Sequence, residues 1–482
     1  MNTHLCSVGL ALVCISSPVV VADTAIPVIA DEVKYTLSHA ELTGISGNKL
    51  TQTVKHKGAS FIKLHFKQLS LPQGALLRVK SPTTGEKVEY NASQIDWFAQ
   101  SISGDSLVIE LVANSKGHYG QFELDYYMAG RDTAEQEVAK LSTCGVNERR
   151  DVACWEDTHP DKVAWSSPVA RLLINGRSLC TAWRVGPNNH MFTNNHCVES
   201  ASELKNTEVW FNYQRTSCNG SNAIPVKVMG NEILSTDYTL DYTLFTVDDF
   251  SKISSFGYLG LDASEPVFGD GIYIPQHGAG NPKELSIESD KNGSGMCQID
   301  LASANGRGSN TDTGYFCDTI GGSSGSPVLT TSNNKAIALH HFGGCENQGV
   351  KISKIWPKVS SFFGNVLPDG SVGQQPPGND ITELSLDTPL LDLSMAKGEE
   401  RMFVLPAASR TSDVTVSIAS GTGDADLYVR SGQQPTTGVY DCRPYRSGST
   451  ESCDAVNVNE DLYIMLRAYS SFSGVTLSAS KK

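Results

Sequence analysis

The sequence predicts an all-β protein made of three modules. The apolar residues fall in short runs broken by Gly, Asn, Ser and Pro, the pattern of strands and tight turns. Charged residues make up only 19% of the chain and glycine occurs 43 times, so long solvated helices have little sequence to form from. At 482 residues the chain is too long for one ordinary core, and a domain size of roughly 100–200 residues gives three.

The first element is a leader. Residues Cys6 to Val21 are almost all apolar or small, and Val20 and Ala22 suit signal-peptidase positions, so residues 1–22 read as a signal peptide and the protein as secreted and extracellular. No later segment approaches the ~20 apolar residues of a membrane helix. A formal net charge of −14 argues against nucleic-acid and anionic-membrane partners, because phosphate binding needs a basic surface. Ten cysteines follow the leader: Cys144, Cys154, Cys180, Cys197, Cys218, Cys297, Cys317, Cys345, Cys442 and Cys453. An even number in an exported chain predicts five disulfides. Neither Cys-x-x-Cys nor His-Glu-x-x-His occurs, so no metal and no cofactor is expected.

Residues 23–140 contain no cysteine. Ser60-Phe-Ile-Lys-Leu-His-Phe, Leu76-Leu-Arg-Val and Ser106-Leu-Val-Ile-Glu-Leu-Val alternate apolar and polar positions, as half-buried strands do. A small β-sandwich is expected, ending in a charged helical stretch from Arg131 to Lys140. Its lack of cysteines beside a disulfide-rich neighbour marks it as a removable pro-domain, cut near Lys140 or at Arg149-Arg150. Residues 141–365 hold eight cysteines and end in an amphipathic helix over Val350 to Phe363. Residues 366–380, rich in Pro, Gly and Gln, form a linker. In residues 381–482, Arg401-Met-Phe-Val-Leu, Val414-Thr-Val-Ser-Ile, Ala425-Asp-Leu-Tyr-Val and Leu462-Tyr-Ile-Met-Leu predict a second β-sandwich closed by Cys442 and Cys453. Asp424 and Asp426 in its turn read as solvated carboxylates rather than calcium ligands.

The chemistry lies in the middle module. Gly322-Ser323-Ser324-Gly325-Ser326-Pro327 offers a serine in a glycine turn. A serine hydroxyl needs a base to take its proton and donors to hold the oxyanion. Gly322 lets the backbone aim the N–H groups of Gly322 and Ser324 at one point. Phe192-Thr-Asn-Asn-His196-Cys197 supplies the base, and Cys180 upstream offers the adjacent cysteine a partner. Leu240-Asp241-Tyr242-Thr243-Leu244-Phe245 supplies a carboxylate that would fix the imidazole's tautomer, with Asp237 as its rival. The order His…Asp…Ser excludes the α/β-hydrolase arrangement, where serine comes first. A fold that keeps these residues but binds without catalysis remains the alternative.

Over residues 145–365 these motifs, their order and the cysteine beside His196 resemble chymotrypsin-like serine proteases. Trp210 to Cys218, the Gly-Ser-Pro ending of the serine motif and His340-His341-Phe342-Gly343-Gly344 are most similar to bacterial lysyl- and glutamyl-endopeptidase-like enzymes. The resemblance implies a double β-barrel flanked by the two sandwiches, a monomer acting on protein or peptide substrates, and the triad His196, Asp241 and Ser324. It also implies the pairs Cys180–Cys197, Cys154–Cys218 and Cys144–Cys345, leaving Cys297–Cys317 and Cys442–Cys453. Ser323 stands where trypsin-type zymogens carry an Asp, so activation by a new N-terminal amine is not expected. Asp318, six residues before Ser324, occupies the specificity position of trypsin-like enzymes and favours Lys or Arg. Thr319 and His341 match positions that bind substrate Glu in glutamyl endopeptidases. Gly423-Asp-Ala-Asp-Leu-Tyr-Val429, Tyr440 to Tyr445 and Ala468 to Gly474 resemble the bacterial pre-peptidase C-terminal domain.

Overall fold

The computed structural model describes residues 26–482 apart from 84–85, 132–142, 373–381, 396, 408–412, 433, 436, 438–439 and 456–459. The expected signal peptide, the charged stretch to Lys140 and the later part of the 366–380 linker lie outside the described residues. Strands dominate, and no described helix is long and apolar enough to cross a membrane.

The N-terminal part forms two five-stranded antiparallel sheets. One contains Ala30–Ser38, Gln121–Gly130, Phe61–Ser70, Gln94–Phe98 and Ile102–Ser103, and the other Gly44–Ser46, Lys49–Lys55, Ser106–Val112, Leu76–Lys80 and Lys87–Tyr90. The alternating segments read from the sequence are three of these strands. Alternation buries Leu77 and Val79 while their neighbours stay partly exposed. These residues join Leu64, Phe66, Ile109 and Leu111 in one apolar core fed by both sheets.

Six strands close a barrel in the order Val169–Ile174, Ser178–Arg184, Met191–Thr193, Tyr242–Val247, Val226–Asp237, Thr207–Phe211. An eight-stranded sheet follows, with Ile272–Gln276, Pro327–Thr330, Ala336–Phe342, Asn347–Lys351 and Asp312–Tyr315 at its centre. Trp183, Phe192 and Tyr242 of the barrel share a core with Tyr273, Leu329 and Leu339 of the sheet. The expected amphipathic helix is Ile352–Val359, extended by a 3-10 turn Ser360–Phe363, and it adds Ile352, Ile355 and Val359 to that core. Chain segments entering this seam from both sides are therefore brought together. The C-terminal part is a set of seven strands organised around the long strand Leu462–Lys481.

The N-terminal sheets rest on the barrel. Ile29, Phe61 and Met128 pack against Leu173, Leu179 and Trp210. Beneath this cluster Lys63 pairs with Glu208, both fully buried. The Ser101 N–H and hydroxyl and the Trp210 indole N–H donate to Glu208 at 2.8, 2.7 and 2.7 Å, and Lys227 bonds Glu86 at 2.6 Å. At the margin the Leu179 N–H donates to Pro27 C=O (3.2 Å) and the Ile29 N–H to Arg177 C=O (2.8 Å).

Candidate active site

His196 follows the short strand Met191–Thr193, and the Cys180–Cys197 disulfide ties its loop to the neighbouring strand. Asp241 sits in the turn between Val226–Asp237 and Tyr242–Val247, at φ 44°, a left-handed conformation that Asp tolerates better than most residues. The Asn194 side chain locks this turn by donating to Asp241 C=O at 2.8 Å. Asp241 is fully buried. Its Oδ2 accepts from His196 Nδ1 at 2.7 Å, and its Oδ1 accepts from the His196 backbone N–H at 3.0 Å and from Arg307 at 3.2 Å. Burial pushes its pKa up, but hydrogen bonds from His196 and His341 prevail and hold the carboxyl well below the usual range. Asp237, the rival carboxylate, only caps the turn, accepting the Leu240 N–H at 2.9 Å.

Ser324 lies in the turn before the strand Pro327–Thr330, with 4% of its surface exposed. The Thr181 N–H donates to Ser324 C=O at 2.8 Å, and the Thr181 hydroxyl donates to Gly322 C=O at 3.0 Å. Thr181 follows Cys180, so the strand carrying the disulfide that anchors the His196 loop also clamps the serine turn. His196 Nε2, on the ring edge away from Asp241, is buried without a hydrogen-bond partner. Gly322 has φ 97° and Gly325 φ 89°, and a Cβ on Gly325 would stand 2.0 Å from Thr181 C=O. Both positions therefore require glycine. The Ser323 hydroxyl, next to Ser324, donates to Gln276 at 2.5 Å, a neutral bond.

The structure places the expected specificity residues differently from an open pocket wall. His341 is fully buried behind Asp241, with Nδ1 3.0 Å from Asp241 Oδ2 and Nε2 2.5 Å from Asp312 Oδ2. With both ring nitrogens committed to carboxylates, it supports the carboxylate rather than facing a substrate side chain. Burial opposes its charge, but Asp312 and Asp241 push its pKa up to about 9. Asp318 is also buried, and its two oxygens accept the backbone N–H groups of Cys144 (2.7 Å) and Glu148 (2.8 Å), so it anchors the segment that opens the central module. Thr319 is buried with its hydroxyl unpartnered. His340, beside the pocket positions, bonds the Tyr315 hydroxyl at 2.7 Å, and burial lowers its pKa to about 3.

Arg307 and Asp312 reach Asp241 and His341 from other strands and loops, and sequence reading missed both because no local motif marks them. The disulfides join Cys144–Cys345, Cys154–Cys218, Cys180–Cys197, Cys297–Cys317 and Cys442–Cys453. Cys180, His196 and Cys197 form a close group of potential metal ligands, but the two sulfurs are bonded to each other and are not thiolates. Asp426 pairs with Arg443 at 3.0 Å, and Asp424 accepts the Gly448 N–H at 3.2 Å.

Residues 143–352 match the family model described as lysyl endopeptidase, C-terminal domain, and residues 404–469 match the bacterial pre-peptidase C-terminal domain. Secreted RxLR effector protein 73 of Plasmopara viticola is 31% identical over 320 residues, 62% of this chain and 78% of that protein. The chain belongs to the family of that protein. Other relatives of this chain match over shorter stretches. A zinc metalloprotease of Helicobacter pylori is 42% identical over 120 residues, 25% of this chain and 46% of its own. Alkaline serine exoprotease A of Vibrio alginolyticus is 33% identical over 135 residues, 26% of this chain and 25% of its own. Each of these two stretches is shorter than the 143–352 match, and the chain spans less than half of either protein. Among solved structures, the crystal structure of Deg5 is 13% identical, with a TM-score of 0.31, over 43% of this chain and 97% of that one.

Proposed function

We propose that the protein is a secreted serine endopeptidase in which Ser324 attacks the peptide carbonyl, His196 takes its proton and Asp241 holds the imidazole. The observation that carries this reading is the 2.7 Å bond between His196 Nδ1 and Asp241 Oδ2, beside a serine turn clamped by Thr181. Asp241 fixes the tautomer with a proton on Nδ1 and leaves Nε2 as the base. The protonated His196 then delivers that proton to the leaving amine, and water attacks the acyl-Ser324 ester by the same route reversed. The N–H groups of Gly322 and Ser324 are the donors to the oxyanion. The match of residues 143–352 to the lysyl endopeptidase model and the names of the relatives support a peptidase.

The finer parts of the reading are also proposals. The closed barrel and the eight-stranded sheet correspond to a chymotrypsin-like double barrel. The modules are 1–22 (signal peptide), 23–140 (pro-domain), 141–365 (protease), 366–380 (linker) and 381–482 (pre-peptidase C-terminal domain), in a monomer that takes protein or peptide substrates. Cleavage after Lys or Arg is the proposed preference, and the family description, lysyl endopeptidase, speaks for Lys. Asp318 would supply its charge from behind the two backbone donors it already holds. Peptides ending in Arg, Lys, Glu or Phe before a fluorogenic group test this, together with Asp318→Ser. Efficient cleavage after Glu with none after Lys or Arg removes the preference and leaves the mechanism standing. Casein cleavage that survives a chelator and is lost in Ser324→Ala tests the reaction class.

A further inference from the structure

A cavity of about 320 Å³ lies between the N-terminal sheets and the barrel, and the proposed reaction does not use it. Its walls include Ser60 and Arg131 from the sheets, Arg171, Tyr213 and Arg215 from the barrel part, and the turn 279–282. That turn adjoins the serine loop: the Ala279 N–H donates to Gly321 C=O at 2.7 Å.

Arg171 sets the chemistry of the cavity. It is 4% exposed, and its guanidinium lies 4.6 Å from the Trp210 ring and 4.7 Å from the Tyr213 ring. Tyr213 is its side-chain hydrogen-bond partner, and its Nε has none. Among the described residues no carboxylate comes within ion-pair distance of it. Glu208, the closest acidic network, is taken up by Lys63, Ser101 and Trp210. The other two guanidinium groups on the wall have acidic partners, Arg131 in Asp31 and Arg215 in Asp151. Among the described residues no acidic side chain lines the cavity, so the buried Arg171 guanidinium faces it with no carboxylate in contact. A buried cation is costly until an anion joins it, and the planar fork of guanidinium N–H groups fits a carboxylate.

We propose that in the full chain, while residues 23–140 are still attached, this cavity is a carboxylate-binding site that takes an acidic side chain of a peptide bound beside the Ser324 loop, with Arg171 as its ion partner. The peptide as carrier rests on the peptidase reading, and the anion site does not. Because the walls come from both the sheets and the barrel, the bound carboxylate also ties the two together.

The test uses the full chain carrying Ser324→Ala, so that nothing is cut. Calorimetry compares a blocked glycine pentapeptide containing one Glu with its Gln counterpart, and inorganic phosphate is added as a competitor. The expected result is at least tenfold tighter binding of the Glu peptide. The preference should fall below twofold in Arg171→Met and also in Ser60→Asp, which places an anion on the cavity wall without removing Arg171. Two independent substitutions keep the test open if one impairs folding. Competition by phosphate supports the same site and adds free oxyanions as a second source. Equal binding of the Glu and Gln peptides, or a preference that survives both substitutions, overturns the proposal. Fluorophosphonate labelling of the unmutated protein reports on the peptidase reading separately.

Discussion

Nδ1 of His196 donates to Oδ2 of Asp241 across 2.7 Å, and the same oxygen accepts from His341 at 3.0 Å. Asp241 thus lies between two imidazoles, and Asp312 closes the line at 2.5 Å from His341 Nε2.

Asp241→Asn should lower kcat by about 10⁴-fold, because an amide in place of the carboxylate favours the wrong tautomer of His196. Asp237→Asn should leave kcat within a few-fold of the parent, since Asp237 only caps a turn. Steady-state kinetics on a casein-derived peptide distinguishes the two. If Asp237→Asn were the crippling change, the carboxylate assignment would be wrong.

The raised pKa of His341 has a defined consequence for stability. The folded state holds this proton up to about 9, whereas an unfolded histidine releases it near the ordinary value of 6.5. The folded state therefore binds more protons between these pH values, and stability must fall as pH rises through that window. The contribution is fully present below 6.5 and lost above about 9. Urea unfolding of Ser324→Ala at pH 6.5 and 9.5 should show the loss, and His341→Gln should flatten it. An equal slope in both proteins contradicts the assignment.

Lys63→Met should destabilise the full chain by about 3–5 kcal/mol, because it leaves Glu208 charged, buried and short of its cation. Lys63→Met combined with Glu208→Gln should recover part of that loss. Thermal unfolding on the Ser324→Ala background measures both, and a single substitution no worse than the double one counts against a buried ion pair at this junction.

The two expected activation sites are not equivalent in the fold. Arg149 is buried and paired with Glu284 at 3.1 Å, whereas Lys140 lies outside the described residues. Cutting at Arg149-Arg150 would leave the Cys144 and Glu148 N–H donors to Asp318 joined to the rest of the module only through the Cys144–Cys345 disulfide. The mature N-terminus should therefore fall near Lys140, between the N-terminal sheets and Cys144. N-terminal sequencing of the secreted protein checks this, and a start at Asp23 or at Arg150 would rule it out.

Much of this was legible in the sequence because the signals are local. Period-two segments such as Leu76–Lys80 became strands, and the bond between His196 and Asp241 joins two motifs read from the sequence. The cysteine pairs could be expected only through resemblance to a family. The contacts of His341 and Arg307 with Asp241, and of Asp312 with His341, were not legible, because these residues are far apart in sequence and meet only in the fold. The same holds for the bonds that Asp318 accepts from the Cys144 and Glu148 N–H groups. Arg171 gave no signal, since a lone arginine in an apolar strand acquires meaning only from Trp210 and Tyr213 across the barrel wall.

The account stands most directly on whether Ser324 is an activated nucleophile. Intact-mass and peptide mapping after treatment with a fluorophosphonate measures this. The prediction is one adduct per chain, located on Ser324, with loss of casein cleavage, and no adduct in Ser324→Ala or His196→Ala. Absence of an adduct on Ser324 in protein that still cleaves casein would contradict it.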